Sequence, residues 1–206
     1  MLYYQTIEPD TLGILKKIQS ITEFSKLRLV GGTALALQIG HRKSIDLDFF
    51  GLIENDFITF SKELEKVGTI TVLKNSTNIN IFSVNNIKVD FVNYHYVWLE
   101  KAISEDDLLL ASIKDIAAMK IAAITGRGTK KDFIDLYFLL KRYSLKEILD
   151  FYMLKYPEGS VFLVLRSLTY FVDADEEELP EMLIPTDWND VKIFIENTLT
   201  DYIKNK

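Results

Sequence analysis

Two acidic residues at alternate positions are the side chains of this sequence that most clearly indicate chemistry. Asp46 and Asp48 stand in the run from Ile45 to Phe49, and a strand there would place both carboxylates on one face and the apolar side chains on the other. The carboxylates would lie about 6–7 Å apart along the strand and would repel each other unless a cation lay near both. Mg²⁺ or Mn²⁺ would suit such a pair, because hard cations bind carboxylate oxygens and commonly substrate phosphates as well. The alternative is a solvent-facing pair on an edge strand.

Two glycines upstream supply a second part of the predicted site. The sequence predicts a short strand over Leu27–Val30 and a helix over Thr33–Ile39, so Gly31 and Gly32 lie at a strand-to-helix turn. The backbone of such a turn can approach a ligand closely, and the free N–H groups at a helix start favour an anion. Thr33 is also a good helix cap, and a cap and a phosphate would use the same N–H groups. A phosphate cradle followed by a carboxylate pair predicts a site for a metal-bound nucleoside triphosphate (NTP).

This stretch resembles a known family signature. Gly-Gly, a spacer and Asp-x-Asp are the pattern of polymerase-β-like nucleotidyltransferases, and the string GGTALALQIGHRKSIDLDFF is similar to the AbiEii-like toxin nucleotidyltransferases of bacterial toxin–antitoxin systems. A second string, KIAAITGRGTKKDFIDLYFLL, matches the same family, so the resemblance spans about residues 27–143. It implies a metal-dependent enzyme that moves NMP from an NTP to a hydroxyl group and releases pyrophosphate. It also implies a tRNA or protein acceptor and a cognate antitoxin as partner.

The resemblance also implies a third carboxylate, Asp90. The strand predicted over Ile87–Asn93 alternates, with Asp90 and Lys88 on the face opposite Val89. In the family, a carboxylate on a neighbouring strand completes the metal site and is the expected general base for the attacking hydroxyl. The alternative is an ordinary exposed aspartate.

A basic loop separates the glycines from the first aspartates. Its residues could contact phosphate or the acceptor, or they could form a solvated loop. Arg42 is the strongest candidate, because an arginine can bind phosphate with two parallel hydrogen bonds. The loop comprises His41, Arg42, Lys43 and Ser44.

The second family string adds candidates from the helical half. Lys120 and Arg127 are seven residues apart and would share a face of a continuous helix; in the family the lysine approaches the triphosphate, and we assign Arg127 to nucleotide binding. The alternative for Lys120 is a surface position on an amphipathic helix. Asp132 stands three residues after Thr129 with the spacing of a capping box, so it could simply fix the start of a helix. A supporting role in the site or a structural one, such as a buried ion pair, stays open for Lys131, Asp132 and Asp135.

Composition sets further bounds on function. The formal charge of −6 argues against non-specific nucleic-acid binding, and the absence of cysteine excludes disulfides and thiolate metal sites. We expect no signal peptide and no membrane partner, because the sequence has neither a basic-then-apolar start nor a run of about 20 apolar residues. A cytoplasmic location is therefore expected. Residues 173–190 contain eight acidic side chains and no basic one. This composition predicts an exposed loop or a docking surface for a basic partner.

The order of predicted elements indicates an α/β (α+β) fold. Helices and short strands are mixed without a regular βαβ rhythm, which predicts a polymerase-β-like nucleotidyltransferase core with a mixed sheet over residues 1–105 and a helical part over residues 106–206. The predicted elements of the core, besides those named above, are helices over Pro9–Phe24 and Asn55–Val67, strands over Thr69–Lys74 and Asn78–Val84, and a hairpin turn at Asn85-Asn86. The helical part is predicted to contain Ser112–Thr125, Lys130–Arg142, Leu145–Lys155, Val161–Val172 and Trp188–Lys204.

Two other functions remain compatible with the sequence. The same core could modify a small molecule, as aminoglycoside-type nucleotidyltransferases do. The chain could also be a non-catalytic nucleotide-binding module, although the presence of all three expected carboxylates counts against that reading.

Overall fold

A computed structural model describes residues 1–54 and 56–205. These residues form two compact units, which are described separately. The first comprises Met1–Tyr96 and Lys101–Ser112, and the second comprises Val97–Glu100 and the chain from Ile113 onward. The functional division near residue 105 stays a prediction.

The first unit contains a seven-stranded sheet flanked by helices. The strand order is β3-β4-β5-β2-β1-β7-β6. The pairs β2–β5 and β1–β7 are parallel and the other neighbours are antiparallel, so the sheet is mixed as expected. The elements are α1 (Pro9–Ser20), β1 (Arg28–Val30), α2 (Gly31–Ile39), β2 (Leu47–Gly51), α3 (Phe57–Glu65), β3 (Ile70–Asn75), β4 (Ile79–Val84), β5 (Ile87–Asn93), β6 (Ile103–Glu105) and β7 (Leu108–Leu110).

Local chemistry explains several of these boundaries. The predicted start of α3 at Asn55 lies outside the described residues; within them, the Asp56 side chain accepts hydrogen bonds from the N–H groups of Ile58 and Thr59 and so caps the helix. The predicted turn between β4 and β5 is confirmed. Asn85 and Asn86 both have positive φ, at 49° and 69°, which asparagine tolerates in a two-residue hairpin.

A cluster of phenylalanines forms the core on one face of this sheet. Phe49 of β2 and Phe91 of β5 are fully buried, and their stacked rings have centroids 5.3 Å apart. Phe60 of α3 packs edge-on against Phe91 at 4.8 Å. Burial of each ring stabilises the fold by roughly 1.5–3 kcal/mol. Because a one-residue slip of either strand would turn these rings to the other face, the core fixes the pairing register.

The second unit is helical. Its helices are α4 (Ile113–Arg127), α5 (Lys130–Leu140), α6 (Leu145–Lys155), α7 (Val161–Ser167), α8 (Val172–Asp175) and α9 (Trp188–Lys204). The single helix predicted over Val161–Val172 is wrong, since α7 ends at Ser167 and the short α8 begins only at Val172. Among the described residues, none of the helices is both long and apolar enough to cross a membrane.

A fully buried ion pair holds the segment Val97–Glu100 in the helical unit. Lys155 Nζ lies 2.7 Å from Asp115 Oδ1, and both side chains are 0% exposed. The same ammonium donates a hydrogen bond to the Val97 carbonyl at 2.8 Å, and the Leu99 N–H donates to Asp115 at 2.9 Å. These bonds satisfy two charges that would be costly to bury alone.

The acidic segment, residues 173–190, is not a uniformly solvated loop. Asp175 accepts hydrogen bonds from Trp188 Nε1 at 2.6 Å and Lys192 at 2.8 Å. Glu177 accepts from the backbone N–H of Lys130 at 2.8 Å. Asp187 caps α9. The exposed loop that was expected therefore describes only part of the segment, and the docking surface stays a prediction.

We expect two matched triple variants of this segment to behave differently. Asp173→Ala with Glu176→Ala and Glu178→Ala removes three exposed acids and should leave the melting temperature unchanged. Asp175→Ala with Glu177→Ala and Asp187→Ala removes the same charge together with a helix cap and several hydrogen-bond acceptors, so it should lower the melting temperature. Differential scanning calorimetry compares the two. Equal melting temperatures would mean that the contacts contribute nothing.

Candidate functional site

The parallel pairing of β2 with β5 brings two of the predicted carboxylates side by side. Asp48 pairs with Asp90 in this register, so the two residues lie on neighbouring strands, about 4.8 Å apart, on the same face. This face is opposite the phenylalanine core. Asp46 is partly buried and lies one residue before β2, and Ile45, expected on the core face, is 64% exposed. The alternation therefore begins at Leu47 rather than at Ile45.

The first glycine of the turn lies directly against Asp48. Val30 pairs with Asp48 across β1 and β2, and α2 begins at once with Gly31, which has φ of +70°. A Cβ on Gly31 would overlap the Asp48 carboxylate oxygen Oδ2. Glycine is therefore required here both by the backbone conformation and by the space beside the carboxylate.

The second glycine lies against the basic loop. A Cβ on Gly32 would overlap Arg42 Nη2 and would lie 3.3 Å from Ser44 Oγ. The hydroxyl oxygens of Thr33 and Ser44 are 2.8 Å apart, and the Thr33 hydroxyl donates to the Asp46 carbonyl. Gly31, Gly32, Thr33, Arg42, Ser44 and Asp48 thus converge around one turn.

The basic loop is mostly not solvated. His41 is 0% exposed and Arg42 is 2% exposed, and Arg42 Nη1 donates to the Lys43 carbonyl at 2.9 Å. Lys43 forms an ion pair with Glu8 at 2.7 Å. The guanidinium of Arg42 is therefore held in place beside the glycine turn, where it can bind an anion without first losing side-chain entropy.

Lys88 lies beside the carboxylates of this site. From the sequence alone we assigned it no role. Its Nζ lies 2.7 Å from Asp90 Oδ2. Burial alone would lower the pKa of Lys88, but the hydrogen bond and charge of Asp90, together with the charges of Asp48 and Asp46, outweigh burial and raise it. All three carboxylates therefore act on one ammonium group. The available signal was the position of Lys88 two residues before Asp90, on the same strand face.

The carboxylate oxygens of this site are suited to a divalent cation whose remaining ligands come from the substrate and water. Within residues 1–54 and 56–205, no group of three or more His, Cys, Asp or Glu side chains is arranged to hold a metal ion. Mg²⁺, however, usually binds through one or two carboxylates plus substrate phosphates and water. Asp48 and Asp90 supply such a pair, and Asp90 Oδ1 is buried without a hydrogen-bond partner in the described part of the chain. A buried carboxylate oxygen in this state is suited to a cation.

Three candidates of the helical unit, Lys120, Asp132 and Asp135, form a buried cluster within that unit. Lys120 is 6% exposed, and its Nζ lies 2.8 Å from Asp132 Oδ1 and 2.7 Å from Asp135 Oδ2. The alternative of a surface lysine is therefore wrong. The helix α4 buries residues around most of its circumference, so a lysine within it requires the two acids as partners.

Asp132 also fixes the start of α5, as its spacing predicted. Its Oδ2 accepts hydrogen bonds from the Thr129 hydroxyl at 2.6 Å and the Thr129 N–H at 3.1 Å. Burial would raise the pKa of Asp132, but the charge and hydrogen bond of Lys120 and the hydrogen bonds of Thr129 lower it below its usual value. The capping role does not exclude a role in the site. Arg127 is the exposed last residue of α4, and Lys131 is exposed in the first turn of α5.

Gly31→Ala should damage the site and the fold together. The positive φ costs an alanine about 1–2 kcal/mol, and its Cβ would displace the Asp48 carboxylate. We expect a lower melting temperature and a large loss of NMP transfer. The matched control is Gly13→Ala in α1, where an added Cβ meets nothing within 4 Å; it should stabilise the helix by up to about 1 kcal/mol and leave transfer unchanged. Wild-type transfer by Gly31→Ala would exclude this turn from the site.

Comparison with known proteins gives consistent results. A family model described as nucleotidyl transferase AbiEii toxin, type IV TA system, matches residues 14–201. An uncharacterized protein of Aquifex aeolicus is 37% identical over 197 residues, which cover 93% of this chain and 95% of that protein.

Two solved structures share the fold. JHP933 from Helicobacter pylori has a TM-score of 0.58 and 17% identity, and the match covers 95% of this chain and 90% of that chain. MenT4, a nucleotidyltransferase toxin of Mycobacterium tuberculosis, has a TM-score of 0.57 and 14% identity, with 92% of this chain and 81% of that chain covered. The expected α/β nucleotidyltransferase fold is confirmed.

Proposed function

Because the chain belongs to the AbiEii nucleotidyltransferase toxin family, we propose that it moves NMP from an NTP to a hydroxyl group of a tRNA or a protein. The observation that carries this proposal is the convergence of the glycine turn with Asp48, Arg42 and the paired Asp90. It combines a place for phosphates with carboxylates for a divalent cation. Neither feature alone would indicate nucleotide transfer.

The residues of the first unit have distinct proposed roles. Asp46, Asp48 and Asp90 would hold Mg²⁺ or Mn²⁺, which when bound neutralises phosphate charge and lowers the pKa of the attacking hydroxyl. The N–H groups of the turn at Gly31, Gly32 and Thr33, with Arg42 and Ser44, would bind the triphosphate.

The proposed reaction is an in-line displacement. Asp90 would accept the proton of the acceptor hydroxyl while its oxygen forms a bond to the α-phosphorus and the bond to the pyrophosphate oxygen breaks. From the helical unit, Lys120 and Arg127 would neutralise triphosphate charge, and Lys131, Asp132 and Asp135 would support them. These assignments follow the family resemblance.

Incubation with each labelled NTP in turn, Mg²⁺ and total tRNA tests the proposal. We expect one NTP to label tRNA in a reaction that EDTA stops, with release of pyrophosphate. Parallel reactions with cell protein and with small-molecule hydroxyls identify the acceptor class and test the aminoglycoside-type alternative. Absence of transfer to every acceptor, with NTP binding intact, would favour the non-catalytic module.

The family also supports an antitoxin as partner, which we propose is encoded with this chain and suppresses its activity. Co-expression of the two proteins, followed by the same labelling assay, tests this partner. A cytoplasmic location stays a prediction.

A further inference from the structure

Lys88 places a positive charge where the proposed function requires a metal ion. Its ammonium lies 2.7 Å from Asp90 Oδ2, and the parallel register sets Asp48 beside Asp90. Two neighbouring carboxylates repel each other unless a cation compensates them. Lys88 supplies this compensation from within the chain.

The lysine is also able to leave. Its side chain is 44% exposed, whereas that of Asp90 is 18% exposed, so the ammonium reaches the carboxylate from the solvent side. A long, flexible lysine side chain can move its charge to solvent or to a phosphate at little cost. Asp90 Oδ1, on the other side of the same carboxylate, has no partner among the described residues.

From this geometry we propose that Lys88 is a resident counter-cation of the carboxylate cluster, bound to Asp90 before the divalent ion arrives and displaced from it when the ion binds. The inference rests on the proposed function. Its consequence is that the empty site binds a divalent ion weakly, because the ion must overcome the repulsion of Lys88. The phosphates of an NTP would attract the displaced ammonium, so the ion and the NTP would bind together more readily than the ion alone.

Binding of Mn²⁺ without NTP, measured by calorimetry, tests the displacement directly. Lys88→Met keeps the length of the side chain and removes the charge, so it should bind Mn²⁺ about tenfold more tightly than wild type. Lys88→Arg keeps the charge and should bind like wild type. Lys74→Met, which removes an exposed lysine of β3 in the same sheet, is the matched control and should also bind like wild type.

Thermal unfolding separates this role from a merely structural one. In EDTA, Lys88→Met should melt below wild type because Asp90 loses the ion pair with Lys88. Saturating Mn²⁺ should restore its melting temperature to that of wild type, since ligand binding to the native state stabilises it. An equal deficit with and without Mn²⁺ would identify Lys88 as a structural ion pair only.

The outcomes distinguish this inference from the function on which it rests. If wild type transfers NMP but Lys88→Met binds Mn²⁺ no more tightly, the inference fails and the proposed function stands. If wild type neither binds Mn²⁺ nor transfers NMP with any acceptor, both fail. If Lys88→Met binds Mn²⁺ more tightly than wild type does, and the wild-type protein transfers NMP, the result supports both the inference and the proposed function.

Discussion

Asp48→Asn should lower NMP transfer by on the order of 10³-fold or more, a larger loss than that of a single preorganised electrostatic group. Asparagine keeps the shape of the side chain but removes the charge that a divalent ion requires. The fold should survive, because asparagine fits the same space beside Gly31 and keeps a polar side chain on this face of β2. Labelled-NMP transfer and thermal unfolding in EDTA measure the two effects. Asp46→Asn should likewise abolish transfer.

The control for charge removal is Asp107→Asn. Asp107 is exposed in the turn between β6 and β7 with φ of 62°, a conformation that asparagine tolerates. This variant should keep both activity and stability. Full activity of Asp48→Asn would exclude Asp48 from a metal site.

Lys120→Met should lose both stability and transfer. Since Lys120 is buried against Asp132 and Asp135, removing its charge takes one cationic partner from two buried acids, at a cost of about 3–5 kcal/mol. A surface lysine would have cost at most about 0.5 kcal/mol. If Lys120 also neutralises the triphosphate, the rate at a temperature where the variant is folded should fall by about 10²–10³-fold.

Lys155→Met separates the two effects. Lys155 is also buried and paired with an acid, Asp115, but it has no proposed role in the site. We expect a similar loss of stability with wild-type transfer below its melting temperature. If Lys120→Met also transfers NMP at the wild-type rate once folded, Lys120 has a structural role only. It would then not be a triphosphate-binding residue.

The elements with a strong local pattern could be predicted from the sequence. The alternation of β5 and the turn at Asn85-Asn86 depend on neighbouring residues, and the structure has them as predicted, whereas α2 begins at Gly31, two residues before the predicted start at Thr33. The hairpin of β6 and β7 was missed, because strands of three residues are too short to reveal a period. The signal that could have found it is Asp106-Asp107 directly before the apolar residues 108–111, since both aspartates adopt positive φ.

Contacts between distant residues could not be predicted. Nothing in the sequence connects Lys155 with Asp115, 40 residues away, and a lysine flanked by Met119 and Ile121 is compatible with either a surface or a buried position. For Lys120, the acids at Asp132 and Asp135, one helical turn apart, were the available indication of a buried pair. Lys88 was placed on the correct face but was not recognised as part of the site, because its proposed role also involves Asp48, which only the pairing of β2 with β5 brings beside Asp90.

The order in which the chain is synthesised has a consequence for when this site can exist. Asp48 and Asp90 meet only through the parallel pairing of β2 with β5, and α3 and the β3–β4 hairpin lie between these strands in the chain. Parallel strands cannot be joined by a tight turn, and such distant pairings form slowly. A ribosome that has completed β2 has therefore made the glycine turn and two carboxylates but no site. We therefore expect that a nascent chain cannot bring Asp48 beside Asp90 before β5 has been synthesised.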